Sequence, residues 1–307
     1  MAEISKIGVL VMAYGSPASP GDIESYYTHV RRGQPAPPVL LDDLRRRYDA
    51  IGGVSPLAAR TTAQVEALQA ALGGDHVVTL GQKHAAPFIE DAVAKLAGNG
   101  VGHIVGLVLA PHTSALSTGE YHSRAGEAAG AAGIPYSSVG AWPVHPELMV
   151  LLAERVVQAH SRFPPGTKVE TLVTAHSLPL RALGLDEPTY PEQLRRTAEA
   201  VAARAGLGSD WRIAWQSAGR TSDPWIGPDI LDVIRNLPDE GVEGVVVCPA
   251  GFVSDHLEVL YDVDIEARAV AEEAGLLLER TESLNDDPGF VALLASLVDQ
   301  AGAAAGR

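Results

Sequence analysis

The chain carries one cysteine, Cys248, in 307 residues. One cysteine cannot close an intramolecular disulfide, and it cannot supply a four-cysteine zinc or iron–sulfur site. It sits in the apolar run Val245-Val246-Val247-Cys248, where a thiol serves as a small buried hydrophobe. Aromatic residues are scarce, at 5 %, which favours tightly packed α/β layers over an aromatic-rich sandwich. No run approaches the length of apolar chain that crosses a bilayer, so no membrane span is expected. Lys and Arg number 23 against 38 Asp and Glu, giving a net charge of −15. An acidic surface repels nucleic acid and anionic membrane, so neither is expected as a partner. Met1-Ala2-Glu3-Ile4-Ser5-Lys6 lacks the basic stretch and cleavage site of a signal peptide, and a cytoplasmic protein is expected. There is no Walker A sequence, no G-x-G-x-x-G after a strand and no G-x-S-x-G elbow, so nucleotide binding and serine hydrolysis lack support.

What is present is alternation. Short apolar runs at Gly8–Ala13, His76–Leu80, His103–Leu109, Pro135–Val139, Glu170–Ala175, Arg212–Gln216, Gly244–Pro249 and Leu276–Glu279 read as strands. Helical periodicity lies between them, at Thr62–Leu72, Pro87–Leu96, Pro146–His160, Pro191–Ala205 and Pro228–Leu237. Several of these segments begin with Pro, a common helix start. Strand–helix alternation predicts parallel sheets covered by helices.

The pattern also repeats. Ile89–Leu96 followed by Gly100-Val101 resembles Ile230–Leu237 followed by Gly241-Val242, and His103-Ile104-Val105 resembles Gly244-Val245-Val246. The spacing is constant, which predicts two similar α/β lobes. They are placed at residues 1–143 and 144–307, and the length suffices for a core in each. Open α/β sheets bind ligands beyond the carboxyl ends of their strands. Tyr14, His112, His176 and the run Ala250–His256 follow strands in this way.

Three features suggest chemistry. Glu258, Asp262 and Glu266 are spaced i, i+4, i+8, a nearly straight acidic row if the segment is helical. Like charges at that spacing repel, and a nearby cation relieves the repulsion; a solvated acidic face is the plainer alternative. His176 follows an apolar strand. Most such histidines are structural, yet imidazole both ligates transition metals and takes a proton near neutral pH. Arg31, Arg32, Arg45, Arg46 and Arg47 form a basic segment in an acidic chain, either solvated helix charge or a grip on an anion.

Longer blocks then resemble the ferrochelatase family. Tyr26-Tyr27-Thr28-His29-Val30-Arg31-Arg32-Gly33, Arg47–Leu57, Lys83-His84, Ala175-His176-Ser177-Leu178-Pro179, Trp215-Gln216-Ser217 and Gly251–Asp262 carry the resemblance, in order, over nearly the whole chain. It is closest to the short, soluble ferrochelatases of Gram-positive bacteria. The resemblance implies two Rossmann-like lobes of the class II chelatase type, with a porphyrin in the cleft. It implies insertion of Fe2+ into coproporphyrin III to give Fe-coproporphyrin III (coproheme) in heme biosynthesis. His176 and Glu258 resemble the paired catalytic and metal-site residues, with Asp262 and Glu266 as an outer metal-binding extension. Tyr14 resembles the tyrosine that approaches the metal from the other side. Arg31, Arg47, Tyr48, Ser55 and Tyr121 resemble residues contacting the porphyrin and its propionates. No prosthetic group is expected, Fe2+ being a substrate, and no iron–sulfur cluster. A monomer is implied. On this reading neutral His176 accepts a pyrrole proton. Two departures stand out: the segment between His112 and Tyr121 differs from the family pattern, and Ala218 stands where an acidic residue is usual. Protoporphyrin IX or Co2+, Ni2+ or Zn2+ as substrates, and a non-catalytic tetrapyrrole carrier, are the alternatives.

Overall fold

The computed structural model describes residues 6–183, 188–219 and 221–305. Among them, eight strands form two parallel four-stranded sheets. β1 (Ile7–Ala13), β2 (His76–Gln82), β3 (His103–Val108) and β4 (Tyr136–Ser138) run in the order β2-β1-β3-β4. β5 (Val169–His176), β6 (Trp211–Gln216), β7 (Gly244–Cys248) and β8 (Leu277–Arg280) run in the order β6-β5-β7-β8. All eight expected strands are present, their ends shifted by one or two residues. The helices are α1 (Ile23–Val30), α2 (Pro38–Ala50), α3 (Leu57–Leu72), α4 (Ile89–Gly98), α5 (Glu120–Ala131), α6 (Pro146–His160), α7 (Tyr190–Ala205), α8 (Ile230–Asn236), α9 (Leu257–Leu260), α10 (Arg268–Glu273) and α11 (Pro288–Ala305).

Local chemistry sets several ends. Asp229 accepts a hydrogen bond from Leu231 N at 2.9 Å and caps α8. Gly206, in the left-handed region at φ 72, closes α7, a backbone conformation that is strained for residues with a side chain. The α3 helix starts at Leu57, five residues before the apolar periodicity begins, because Ser55 Oγ accepts from Leu57 N at 3.2 Å and tightens the turn.

The repeat is structural. Ile7 of β1 stands opposite His103 of β3, as Val169 of β5 stands opposite Gly244 of β7. Beyond each second strand the chain folds back to a parallel bridge: Gln82 pairs with Phe88 in one lobe and, after a longer excursion, Trp215 with Asp229 in the other.

Alternate residues of the strands serve different layers, as the pleat requires. Leu10, Met12 and Ile104 face an apolar cluster of the first lobe with Ile89, Val93 and Leu96 of α4. Leu172, Val245 and Val247 face one of the second lobe with Ile230 and Ile234 of α8. The opposite faces do not have separate cores. Val9, Val11, Val105 and Leu107 of the first sheet share one cluster with Val173, Ala175 and Trp215 of the second. Leu148 and Leu152 of α6, Leu194 of α7 and Phe290 and Leu294 of α11 fill it. The C-terminal helix α11 packs on α3 as well as α6, so it crosses the expected 143/144 division. No helix among the described residues is long and apolar enough to cross a membrane.

Candidate active site at the paired switch points

In each sheet the chain leaves the first strand to one side and returns on the other. That makes a switch point between β1 and β3, and another between β5 and β7, where ligands bind beyond the strand ends. His176 is the last residue of β5, and Glu258 lies in α9, just past β7. The structure brings them together: His176 Nε2 is 3.4 Å from Glu258 Oε1. The other carboxylate oxygen, Oε2, is 3.5 Å from His256 Nε2.

The surroundings fix this pair. His176 Nδ1 donates to the Ser177 carbonyl, which aims Nε2 at Glu258. Tyr190 OH donates to the His176 carbonyl at 3.1 Å. Gln216, fully buried, accepts from Thr174 Oγ1 at 2.7 Å and donates to the Glu258 carbonyl at 3.1 Å. One side chain thereby ties β5, β6 and α9 together. Trp225 and Phe252 rings wall His176 at centroid distances of 6.4 and 6.5 Å.

Burial opposes a proton on His176, but the Glu258 charge and its hydrogen bond outweigh it and hold the imidazole up to about 9. Burial likewise opposes ionisation of Glu258, and the His176 charge overcomes it and keeps the carboxyl well below its usual range. Both shifts favour the imidazolium–carboxylate form of the pair, so the neutral His176 expected as proton acceptor first has to lose a proton.

The acidic row exists, on a helix of mixed pitch. After α9 the chain widens into a π-turn over Asp262–Ala267, where Glu266 N donates to Tyr261 O at 2.9 Å, five residues back. A wider turn rotates each residue less, so it reverses the drift of an i, i+4 row. Asp262 is not open to solvent. Arg47 Nη1 donates to it at 3.0 Å and Ser217 Oγ at 2.5 Å, with Ser217 in the left-handed region at φ 61. Burial first, then the Glu258 charge, raise Asp262 to about 6. Among the described residues no group of three or more His, Cys, Asp or Glu is arranged to hold a metal ion. His176 and Glu258 form the close pair, and Asp262 and Glu266 follow Glu258 along the same helical segment.

The first lobe supplies a phenolic wall. Tyr14 follows β1 and is 44 % exposed, yet protein surrounds it. That combination marks a deep cleft. Burial, reinforced by the Glu258 charge, pushes its phenol above the ordinary value. Tyr26, Tyr48, Tyr121 and Tyr190 are shifted the same way, chiefly by burial and also by Glu258. Tyr48 packs in a small cluster with Ile23 and Leu41, and Tyr121 lies under Lys83 at 5.1 Å. Ser55 is buried at the start of α3.

The two arginines differ. Arg31 has a buried Nε without a hydrogen-bond partner and forms no ion pair among the described residues; its guanidinium lies 5.8 Å from the Tyr27 ring centre. Arg47, expected at a propionate, donates from Nε to Asp43 at 3.1 Å and from Nη1 to Asp262 at 3.0 Å, and lies over Tyr261 at 4.9 Å. Sequence reasoning did not single out Gln216, His256 or Tyr190. The signal for Gln216 was a polar residue ending the buried strand β6; for His256 it was an imidazole two places before Glu258.

The two-lobed parallel architecture is that of the class II chelatases. SirB from Bacillus subtilis, solved with Fe3+, superposes with a TM-score of 0.59 at 14 % identity over 98 % of both chains. CbiX, described as the terminal enzyme of siroheme biosynthesis in denitrifying bacteria, superposes at 0.53 with 17 % identity, covering 96 % of this chain and 99 % of that one. Within this class the chain belongs to the ferrochelatase family, whose profile matches residues 6–302. It is accordingly an enzyme of the lyase class, a metal chelatase. It is 44 % identical to the coproporphyrin III ferrochelatase of Anoxybacillus flavithermus over 95 % of both chains. It is 42 % identical to that of Bacillus subtilis, over 95 % of this chain and 97 % of the relative.

Proposed function

We propose that this chain inserts Fe2+ into coproporphyrin III to give Fe-coproporphyrin III (coproheme) in heme biosynthesis. The observation that carries the reading is the His176–Glu258 pair, 3.4 Å apart at the second switch point, beside a wall of tyrosines at the first. The names of the relatives support the substrate.

A flat macrocycle hides its nitrogen lone pairs in the ring plane. A cleft that grips the rim and bends the ring exposes them on one face, the strain being offset by contacts remote from the metal. Coproporphyrin offers four carboxylates for such contacts. Of the two arginines, Arg31 has no ion pair among the described residues and can take one through charge-assisted, bidentate bonds. Arg47 has Nε and Nη1 engaged by Asp43 and Asp262, which leaves Nη2 to meet a carboxylate. Tyr14, Tyr48 and Tyr121 line the macrocycle, and Ser55 holds the turn that leads to them.

Metalation requires two pyrrole protons to leave. Glu258 favours a proton on His176. An incoming Fe2+ offsets the Glu258 charge, and the imidazole releases that proton toward Asp262 and Glu266. Neutral His176 then accepts one pyrrole proton, passes it the same way, and accepts the second. Glu258 serves as metal ligand. Asp262, poised near 6, and Glu266 lead protons outward and cations inward. Iron is here a substrate rather than a resident group, and one chain supplies both walls.

A matrix of anaerobic assays tests this. Coproporphyrin III and protoporphyrin IX are each incubated with Fe2+, Co2+, Ni2+ and Zn2+, and the absorption shift is followed. Catalytic turnover fastest with Fe2+ and coproporphyrin III is the expected result. A faster rate with another pair reassigns the substrate, and binding without turnover makes the chain a carrier.

A further inference from the structure

Apart from the His176–Glu258 pair, two imidazoles meet beside Tyr14, one exposed and one half-buried. His29 lies in the last turn of α1, and His84 follows β2. Their Nδ1 atoms are 3.0 Å apart. Both cannot carry a proton at that point, since two N–H groups would meet head to head. One Nδ1 donates and the other presents its lone pair. Moving the donor's proton to its own Nε2 turns both lone pairs inward, with no change in total protonation. Two nitrogens that each bind one tetrahedral Zn2+ at about 2.0–2.1 Å stand about 3.3–3.4 Å apart, a few tenths of an ångström more than the observed spacing, which a small rotation of the two rings supplies.

The two rings are held in place. His29 stacks on Phe88 at 5.2 Å and 29°. His84 packs against Tyr14 at 4.6 Å, and its backbone N donates to the Tyr14 carbonyl at 2.9 Å. The nearest cation, Lys83, is neutralised by Glu120 at 2.8 Å. The carboxyl end of α1 also favours positive charge beside His29.

We propose that His29 and His84 form a second divalent-metal site on the Tyr14 wall of the cleft. Imidazole nitrogens suit borderline transition ions such as Zn2+, Co2+, Ni2+ and Cu2+, whereas Mg2+ takes oxygen ligands. Water completes the coordination. The site is distinct from His176 and Glu258 and loads without them.

The test is equilibrium dialysis of the metal-free full chain against Zn2+ near pH 7.5, with Mg2+ as control. The wild type is compared with His29→Ala, His84→Ala and His176→Ala, each checked for folding by circular dichroism. Wild type is expected to take up two equivalents of Zn2+. His29→Ala and His84→Ala lose one equivalent each, and Mg2+ does not displace it from wild type. In His176→Ala, added Zn2+ still shifts the ring 15N resonances of His29 and His84. Two equivalents retained in both His29→Ala and His84→Ala would overturn the proposal, and so would unmoved ring resonances. If His84→Ala fails to fold, the exposed His29→Ala variant gives the same reading. No activity is measured, so failure here is separable from failure of the proposed reaction.

Discussion

Tyr14 and His176 occupy the same place in the two lobes. Each lies seven residues beyond the residue that begins its strand register, Ile7 opposite His103 and Val169 opposite Gly244. By the same count along the third strands, Ser117 corresponds to Glu258 and Tyr121 to Asp262. Both pairs fall in segments that include a π-turn, Ala115–Gly119 in one lobe and Asp262–Ala267 in the other. The scaffold is repeated and the chemistry is not. One switch point presents neutral phenols and a hydroxyl. The other presents an imidazolium and two carboxylates. The His176–Glu258 pair stands on one side only, so the groups suited to take a pyrrole proton face a planar ligand from a single face.

The largest expected effect is loss of the charged side. Replacing His176 with Ala removes the acceptor for the pyrrole proton, and kcat should fall about a hundred- to ten-thousand-fold, the range for a general base. Porphyrin binding, followed by fluorescence quenching, should persist. Normal turnover would erase the distinction between the two walls. Next comes Arg31→Ala. A lost charge-assisted bond of about 1.5–3 kcal/mol should raise KM for coproporphyrin III about 10- to 100-fold with kcat little changed. Arg47→Ala should change KM less, because its donors already serve Asp43 and Asp262. An equal rise in both would mean that those ion pairs open when substrate binds. Smaller again is Tyr14→Phe, which keeps the ring and removes one hydroxyl. An effect within about tenfold is expected in steady-state rates. A loss as large as that of His176→Ala would show the phenolic wall to be reactive.

The subtlest prediction concerns pH. The folded His176 is raised above its ordinary 6.5 to about 9, so folding takes up a proton. Its contribution is complete below about pH 6.5 and fades as pH rises through about 9. Thermal melts of wild type and Glu258→Gln should therefore converge or cross in that direction, since the raised value depends on Glu258. A difference that is flat across pH 6.5–9 would remove the imidazolium from the description.

The sequence made the strands readable because each is a short buried run bounded by turns, and β1 and β5 are buried almost throughout. His176 and Glu258 were visible singly, as a histidine at a strand end and a carboxylate beginning a row. The resemblance paired them, and the cleft supplies the distance. Other features had no local signal. Arg47 and Asp262 lie 215 positions apart in the chain, and His29 and His84 lie 55 apart. The π-turn was hidden because an acidic row at i, i+4 looks the same in sequence whether the backbone bonds span four residues or five. The charge state of His176 was missed for a related reason: it depends on how near Glu258 comes, which spacing does not state. The common apolar layer was also concealed, since alternation along a strand marks two buried faces without saying whose helices cover them.

That layer bears on how such a molecule arises. Val9, Val11 and Val105 of one sheet and Val173 and Trp215 of the other belong to one apolar cluster that includes Phe290 and Leu294 of α11. A half-length polypeptide with a single sheet would leave this surface bare, and a second copy of itself is the cover whose shape already fits. Fusion of two such halves fixes their stoichiometry at one to one and lets the two switch points drift apart in sequence. A histidine can then be fixed in one half while a tyrosine is fixed in the other.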